Sequence, residues 1–471
     1  MRFSHTLKTA LALAAVLAFV LALPAGGEKK KRDNMRLAKE ISKEFPVKEI
    51  EFDEPFRCQY REFVNYITLD EFEVYGIKVK AVRVDDKTLQ VSWEGSEPRN
   101  IRKTTVVTVR SGEEAHRICI YRHPVTGDWA YFNAVYRQAK LPKGTISFFD
   151  MDCDGKWFEP KVDAVMLGAR SAVSPIMPVK WYYDWNLTDL EFTGSGKKMK
   201  LKAKLVPIKC YPNERAAMAV LNDFRMEMGL PLLPLDEELS RKCRIYAKFI
   251  SLNGADMADW NIVQNPKPGH LGYTPECEEM KRSIFFCFDG AIVAMGDLIG
   301  QFYHRTQFFF PDTKGFGIGE DGVVSVFNGE YLRDEEYMKW NYPIMIPAPE
   351  QTIRYYVYYG KYGGETPDPR PGGVSCSFPI TLQWENASHE IDDVKAALYY
   401  VDKRKKKEIE VSSYCFWPKR PAHPTRPNNE GQILILGEKP FKRGARYHVT
   451  VEYTIDGKKE KQDWYFNTSK R

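Results

Sequence analysis

Two histidines in this chain sit where the surrounding sequence holds the backbone in place. His270 lies in Asn265-Pro266-Lys267-Pro268-Gly269-His270-Leu271-Gly272-Tyr273, a loop directed by its Pro and Gly residues, and a side chain on such a frame can face a ligand. His304 closes a stretch from Gly290 to Arg305 in which Ile292, Met295, Ile299 and Phe302 recur at helical steps, so the spacing predicts one helix there. An imidazole pair with a carboxylate is a set that binds Zn²⁺ or moves a proton. The nearby carboxylates are Asp297 and the group Glu276, Glu278 and Glu279, and nothing in the sequence chooses among the three glutamates. On one helix Asp297 and His304 would stand about 10 Å apart along the axis. That is too far for contact, with Gly300 leaving an open notch between them. The plainer readings are that His304 and Arg305 close the helix C-terminus, where cations are favoured, and that His270 bonds to its own loop.

A second constellation is Asp150-Met151-Asp152-Cys153-Asp154-Gly155. Oxygens at alternate positions followed by Gly form the first half of a calcium loop. The second half departs from that pattern: Lys161 stands where a bidentate Glu is needed, and Pro160 precedes it. Asp163 could complete a non-helical site with Asp150, Asp152 and Asp154. The expectation is weak Ca²⁺ binding if any, and a polar turn held by Asx hydrogen bonds accounts for the same residues equally well. The chain has no Gly-rich phosphate loop, no His-Glu-x-x-His and no Gly-x-Ser-x-Gly, which removes the commonest nucleotide, zinc-protease and serine-hydrolase signatures.

The elements that would carry these residues differ along the chain. From Glu51 to Ile208 short β-type runs such as Gly76 to Val82, Thr88 to Trp93, Thr104 to Val109 and Met199 to Val206 alternate with polar turns, the pattern of an all-β, sandwich-like region. From Asn213 the period changes. Ala217, Val220, Leu221, Phe224 and Met228 form one helical stripe after a cap at Asn213, and Leu239, Cys243, Tyr246, Ala247 and Ile250 form another after a cap at Asp236. Strands return beyond Pro347. The Pro/Gly-rich stretch Tyr362 to Gly373 reads as a linker or edge segment. Ile380 to Trp384, Ala397 to Val401, Gln432 to Leu436 and Tyr447 to Tyr453 follow, with an Asp456-Gly457 hairpin turn leading to Asp463 to Phe466. That spacing resembles an immunoglobulin-like or fibronectin-type sandwich.

The helical segment carries a further resemblance. Asn213-Glu214-Arg215, Leu221-Asn222, Arg225, Gly229-Leu230-Pro231, Leu233, Asp236, Leu239-Ser240 and Ala247, followed by Tyr303-His304-Arg305, Pro311 and Gly317-Ile318-Gly319, are similar to the CAP superfamily, the cysteine-rich secretory, antigen 5 and pathogenesis-related proteins, in its bacterial exported branch. The resemblance implies a central α-β-α sandwich with a cleft that in many members holds two His and two Glu. His270 and His304 are the only His in the segment, and the bacterial Gly-Glu-Asn motif is missing. The implied organisation is a signal peptide at 1–25, a basic segment at 26–50, a β-rich domain at 51–208, a CAP-like domain at 209–341, a linker or edge segment at 342–373 and an Ig-like sandwich at 374–471.

Composition bounds the function. A net charge of +6 over 471 residues is too mild and dispersed for a nucleic-acid partner. Arg2 and Lys8 before the apolar run Thr9 to Leu23, with Pro24-Ala25-Gly26-Gly27 after it, read as a secretory leader cut after Ala25, and no later run is long enough to span a bilayer. The basic Lys29 to Arg32 follows directly. Nine cysteines show no zinc spacing, and Cys376 and Cys415 are expected to pair. The leading expectation is a secreted, periplasmic or envelope protein binding a lipid, glycan or peptide in a cleft with His270, His304, Asp297 and Glu276, without turnover. The rivals are a secreted hydrolase using the same histidines, with Zn²⁺ or Ca²⁺ as the metals in view, and a non-catalytic envelope scaffold.

Overall fold

The computed structural model describes residues 41–470 except 53–64, 69, 123–126, 143, 161, 169–172, 178–179, 183–184, 255–259, 282–284, 289, 312, 332–341, 356, 359–366, 374, 386–387 and 427–428. The leader, Lys29 to Arg32, Cys58, Lys161 and part of the Tyr362 to Gly373 stretch lie outside the described residues.

Period-two alternation builds the N-terminal region. Ile77–Asp85 buries Ile77, Val79 and Ala81 and exposes the residues between them, and Thr88–Trp93 faces it with Leu89, Val91 and Trp93. With Glu71–Val74 and Arg99–Ile101 these strands form a four-stranded antiparallel sheet. A second sheet, Asn65–Tyr66, Trp129–Asn133, Glu114–Arg122 and Thr105–Ser111, shares its core through Val107, Val109, Ile118, Ile120 and Trp129. A third has eight strands in the order Ser174–Pro175, Ala164–Leu167, Gly144–Phe149, Val135–Leu141, Ile41–Glu51, Lys200–Pro207, Trp185–Thr193 and Lys180–Tyr182. Ile41–Glu51 pairs along its first half with Lys200–Pro207 and along its second with Val135–Leu141. The hairpin of Gly144–Phe149 with Ala164–Leu167 carries the acidic residues 150–163 at one end.

Three helices of eight or more residues follow among the described residues. The first, α1 (Pro212–Glu227), begins one residue before the expected cap: Pro212 occupies the first turn, and Glu214 Oε2 accepts from Tyr211 N at 2.9 Å. The second, α2 (Glu237–Asn253), is capped as read, with Asp236 Oδ1 accepting from Leu239 N at 2.7 Å. The third, α3 (Ala291–Gly300), stops short of the expected Arg305. Gln301 turns extended at φ −87° and ψ 164°, and the chain resumes as a 3₁₀ turn, His304–Phe309. The stop has a tertiary cause. Phe302 and Tyr303 leave the helical stripe to pack with Cys376, Leu434 and Leu436.

Phe285–Cys287, Val324–Tyr331 and Thr313–Asp321 form a three-stranded sheet, and α2 lies directly on it. A Cβ at Gly319 would meet Arg244 N at 2.1 Å and one at Gly317 would meet Leu239 Cγ at 2.5 Å, so glycine is required for the helix backbone to approach this closely. The expectation of a central α-β-α sandwich is overturned. Among the described residues the structure is mostly β, 47% strand against 18% helix, in six sheets. The inner faces of α1 and α3 (Ala217, Leu221, Phe224, Ala294, Met295, Leu298) share one continuous core with Ile344, Phe378, Ile380, Val449 and Phe466 of the C-terminal strands, so the core over these two helices is completed by those strands.

Those C-terminal strands make two sheets. One orders Ile344–Ile346, Ile380–Gln383, Gln432–Gly437 and Ser413–Phe416, the other Thr352–Ile353, Lys458–Thr468, Arg446–Ile455, Ile391–Asp402 and Lys407–Glu410. Asp456 and Gly457 turn the last hairpin at φ 47° and 78°. Cys376 and Cys415 are both free thiols, contrary to the expected pairing. Alternation explains it: Cys376 packs with Phe416 and Leu434 in one cluster, while Cys415 packs with the core on the other face of the sheet.

Candidate functional site

The sequence candidates divide among separate packing clusters. His270 belongs to a loop clamped on the end of α2: its Nδ1 accepts from Lys267 N at 3.2 Å, its ring lies 6.2 Å from Phe249, and Asn253 Nδ2 donates to Leu271 O at 2.7 Å. Glu276, in the short helix Pro275–Met280, stands 3.6 Å from Arg241 on the same helix α2. Its carboxyl is held below the usual range, first by a hydrogen bond from Thr274. Glu279 pairs with Lys242 at 2.6 Å, and Glu278 is exposed. His304 opens the 3₁₀ turn beside the C-terminal strands, next to Phe302 and Tyr303. Asp297 is half-buried on α3; its charge adds to the burial that pushes the Tyr355 phenol up to about 12. Because α3 ends at Gly300, Asp297 and His304 do not share a helix. A Cβ at Gly300 would meet nothing within 4 Å, so the open space beside that glycine exists.

Residues that carried the family resemblance have structural work. Arg225, fully buried, donates to Pro231 O at 2.8 Å, Phe308 O at 2.6 Å and Phe310 O at 3.1 Å. Asn222 exchanges both amide groups with Leu233 N and O at 2.9 Å. Arg305, also fully buried, donates from Nη2 to Pro379 O and Thr381 Oγ1, both at 2.8 Å, and lies 4.9 Å over the Phe378 ring. Glu214 is buried against Arg244 at 3.0 and 2.9 Å. Burial pushes its carboxyl up to about 7 even though Arg244 pulls the other way.

The acidic loop is the densest carboxylate cluster among the described residues. Asp150 and Asp163 are buried, and their donor oxygens and that of Asp152 all lie within 4.8 Å of one another. Asp150 Oδ2 accepts from Gly155 N at 3.1 Å and Asn133 Nδ2 at 3.5 Å, and Asp163 accepts from Met151 N and Glu159 N, each at 3.0 Å. Burial first, then the neighbouring carboxylates, pushes Asp150 up to about 7; burial pushes Asp163 equally far against the two amide bonds. Asp152, Asp154 and Glu159 form an adjoining set. There Lys156 already sits 2.5 Å from Asp154 and 3.9 Å from Glu159.

A cleft of about 150 Å³ opens between the eight-stranded sheet and α1, lined by Gly144, Trp181, Tyr182, Asn222, Asp223 and Met226 among others. Sequence reasoning missed it because Trp181 and Asn222 come from different elements brought together only by tertiary packing. Its walls are firm: Trp181 and Tyr182 are buried strand residues, and Asn222 is locked by Leu233. Asp223 stands exposed at the rim.

Compared with known proteins, the chain matches no family model and no curated relative. Among solved structures, an extracellular protein containing an SCP domain from Bacillus anthracis superposes with a TM-score of 0.21 at 11% identity, over 56% of this chain and 89% of that one. So slight a superposition carries nothing about the chemistry of this chain.

Proposed function

We propose that this chain is an exported binding protein that receives one sugar ring of a glycan in the cleft between the strand Lys180–Tyr182 and α1. The lining of that cleft carries the reading: it includes Trp181 and Tyr182, two glycines, Gly144 and Gly168, and the exposed Asp223. Its volume of about 150 Å³ matches a cavity that accepts a single six-membered ring. Aromatic faces pack against the C–H face of a pyranose, and a carboxylate accepts from its hydroxyls. An acyl chain would want an apolar tunnel, and a peptide a longer groove or a sheet edge. Export rests on the apolar run Thr9 to Leu23, and among the described residues no helix is long and apolar enough to cross a membrane.

The test is a titration of the full chain with hexose and N-acetylhexosamine oligosaccharides, followed by tryptophan fluorescence and calorimetry. Binding should weaken in Asp223→Ala, whose side chain is exposed, and in Trp181→Phe, where the smaller ring reshapes the wall of the cleft, with the melting temperature of each variant measured alongside. It should survive the double change His270→Ala and His304→Ala. Binding lost in the histidine double variant and kept in the other two would move the site to the histidines. No binding of any oligosaccharide would leave a scaffold, which the core shared between the helices and the C-terminal strands favours.

A further inference from the structure

We infer that the loop from Asp150 to Asp163 is a Ca²⁺ site, with the ion held between the carboxylates of Asp150, Asp152 and Asp163. Proximity of acids alone would not establish this. The decisive atom is Asp150 Oδ1, which belongs to a side chain only 1% exposed and has no hydrogen-bond partner, and Asp152 Oδ1 is likewise buried and unpartnered. Buried polar atoms are nearly always satisfied, and one left over calls for a cause such as an ion. The other oxygens are fixed by Gly155 N, Asn133 Nδ2, Met151 N and Glu159 N, so the open ones are aimed by a rigid frame.

Size and charge agree. Two oxygens each 2.3–2.6 Å from a shared Ca²⁺ stand at most about 5.2 Å apart, and the three donors here lie within 4.8 Å. In the adjoining set the Lys156 ammonium already stands against Asp154 and Glu159, so a cation there would meet its repulsion, which favours the inner set for the ion. Without an ion, three carboxylates would face one another in a partly desolvated pocket, an arrangement that a divalent cation relieves. An all-oxygen set suits a hard cation. The unfavourable Lys161 of the sequence pattern is bypassed, since Asp163 supplies the later oxygen.

The loop is where three sheets meet. Asn65 Nδ2 donates to Met151 O and Tyr75 N to Cys153 O, each at 2.7 Å, from the two four-stranded sheets, while the loop itself joins two strands of the eight-stranded sheet. An ion there fastens all three together.

The experiment uses the full chain stripped with a chelator. Tb³⁺ should give emission sensitised by nearby Tyr75, displaceable by Ca²⁺, and calorimetry should show one Ca²⁺ per chain. Ca²⁺ should raise the unfolding temperature of the N-terminal region. Asp152→Asn, half-exposed, should weaken binding by about tenfold or more, because affinity follows the count of charged ligands; Asp154→Asn should leave it nearly unchanged. Absence of Tb³⁺ emission together with no stabilisation by millimolar Ca²⁺ overturns the inference. So does loss of binding in Asp154→Asn but not Asp152→Asn, which would place an ion in the outer set. Should Asp152→Asn fail to fold, the unaltered chain and Asp154→Asn decide: Ca²⁺ uptake without Tb³⁺ emission sensitised by Tyr75 places the ion away from this loop and rejects the site.

Discussion

Arg305 shows how a residue type can point to chemistry and serve structure. From the sequence it is a cation beside a histidine; in the fold its guanidinium reaches Pro379 and Thr381, more than seventy positions away. No local pattern carries such a partner, which is why the roles of Arg225 and Arg305 were not legible, whereas the Asp236 cap, decided by its next three residues, was. Arg305→Ala should cost about 2–4 kcal/mol in urea unfolding, through lost packing and orphaned acceptors. Glu214 gives a pH prediction. Burial raises its folded pKa to about 7 from the ordinary 4.5, so the folded state holds the extra proton between those values, and its contribution falls as pH rises across that window. Between pH 5 and pH 8 the unaltered chain should lose on the order of 1–3 kcal/mol relative to Glu214→Gln. Equal pH profiles for the two proteins would contradict this.

At the scale of elements, the strands were the most readable. Thr88–Trp93 forms with the expected bounds, because alternation in a strand buried on one face is a local signal. The end of α3 was not readable: the stripe through Phe302 continues in the sequence, but that ring is claimed by the C-terminal strands. The geometry relating Asp297 to His304 broke on the same point, since it assumed one helix and the helix stops at Gly300. The contact of α2 with the strand Thr313–Asp321 yields the sharpest element-level prediction. Gly319→Ala should cost well over about 3 kcal/mol or prevent folding, because its Cβ would strike helix backbone rather than a movable side chain. Gly300→Ala, which meets nothing within 4 Å, should be neutral or slightly stabilising by helix propensity. Circular dichroism melts of the two variants make the comparison.

At the scale of the molecule, the N-terminal sheets have cores of their own around Val91 and Trp129 and around Phe148 and Leu201, whereas one core runs from α1 through α3 into the last strands. Calorimetry should therefore resolve two transitions: one Ca²⁺-dependent for the N-terminal region, and one for residues from α1 onward. Independent melting of the helical segment and the C-terminal strands would refute the shared core. The composition and alternation of the sequence pointed to β-rich regions at both ends. They could not show that the inner faces of α1 and α3 open into the core of the C-terminal strands, because an apolar stripe does not name its partner.

That shared core sets an order of events during synthesis. Helix α3 ends at Gly300, and the strand that brings Phe466 to it is the last of the chain. At about 5–20 residues per second, the apolar face of α3 waits roughly 8–33 s for its cover, and that of α1, made earlier, roughly 12–48 s. Over that interval the nascent chain offers Leu221, Phe224 and Leu298 to whatever holdase is at hand, and a ribosome stalled anywhere before the final hairpin leaves a folded N-terminal half tethered to an adhesive middle.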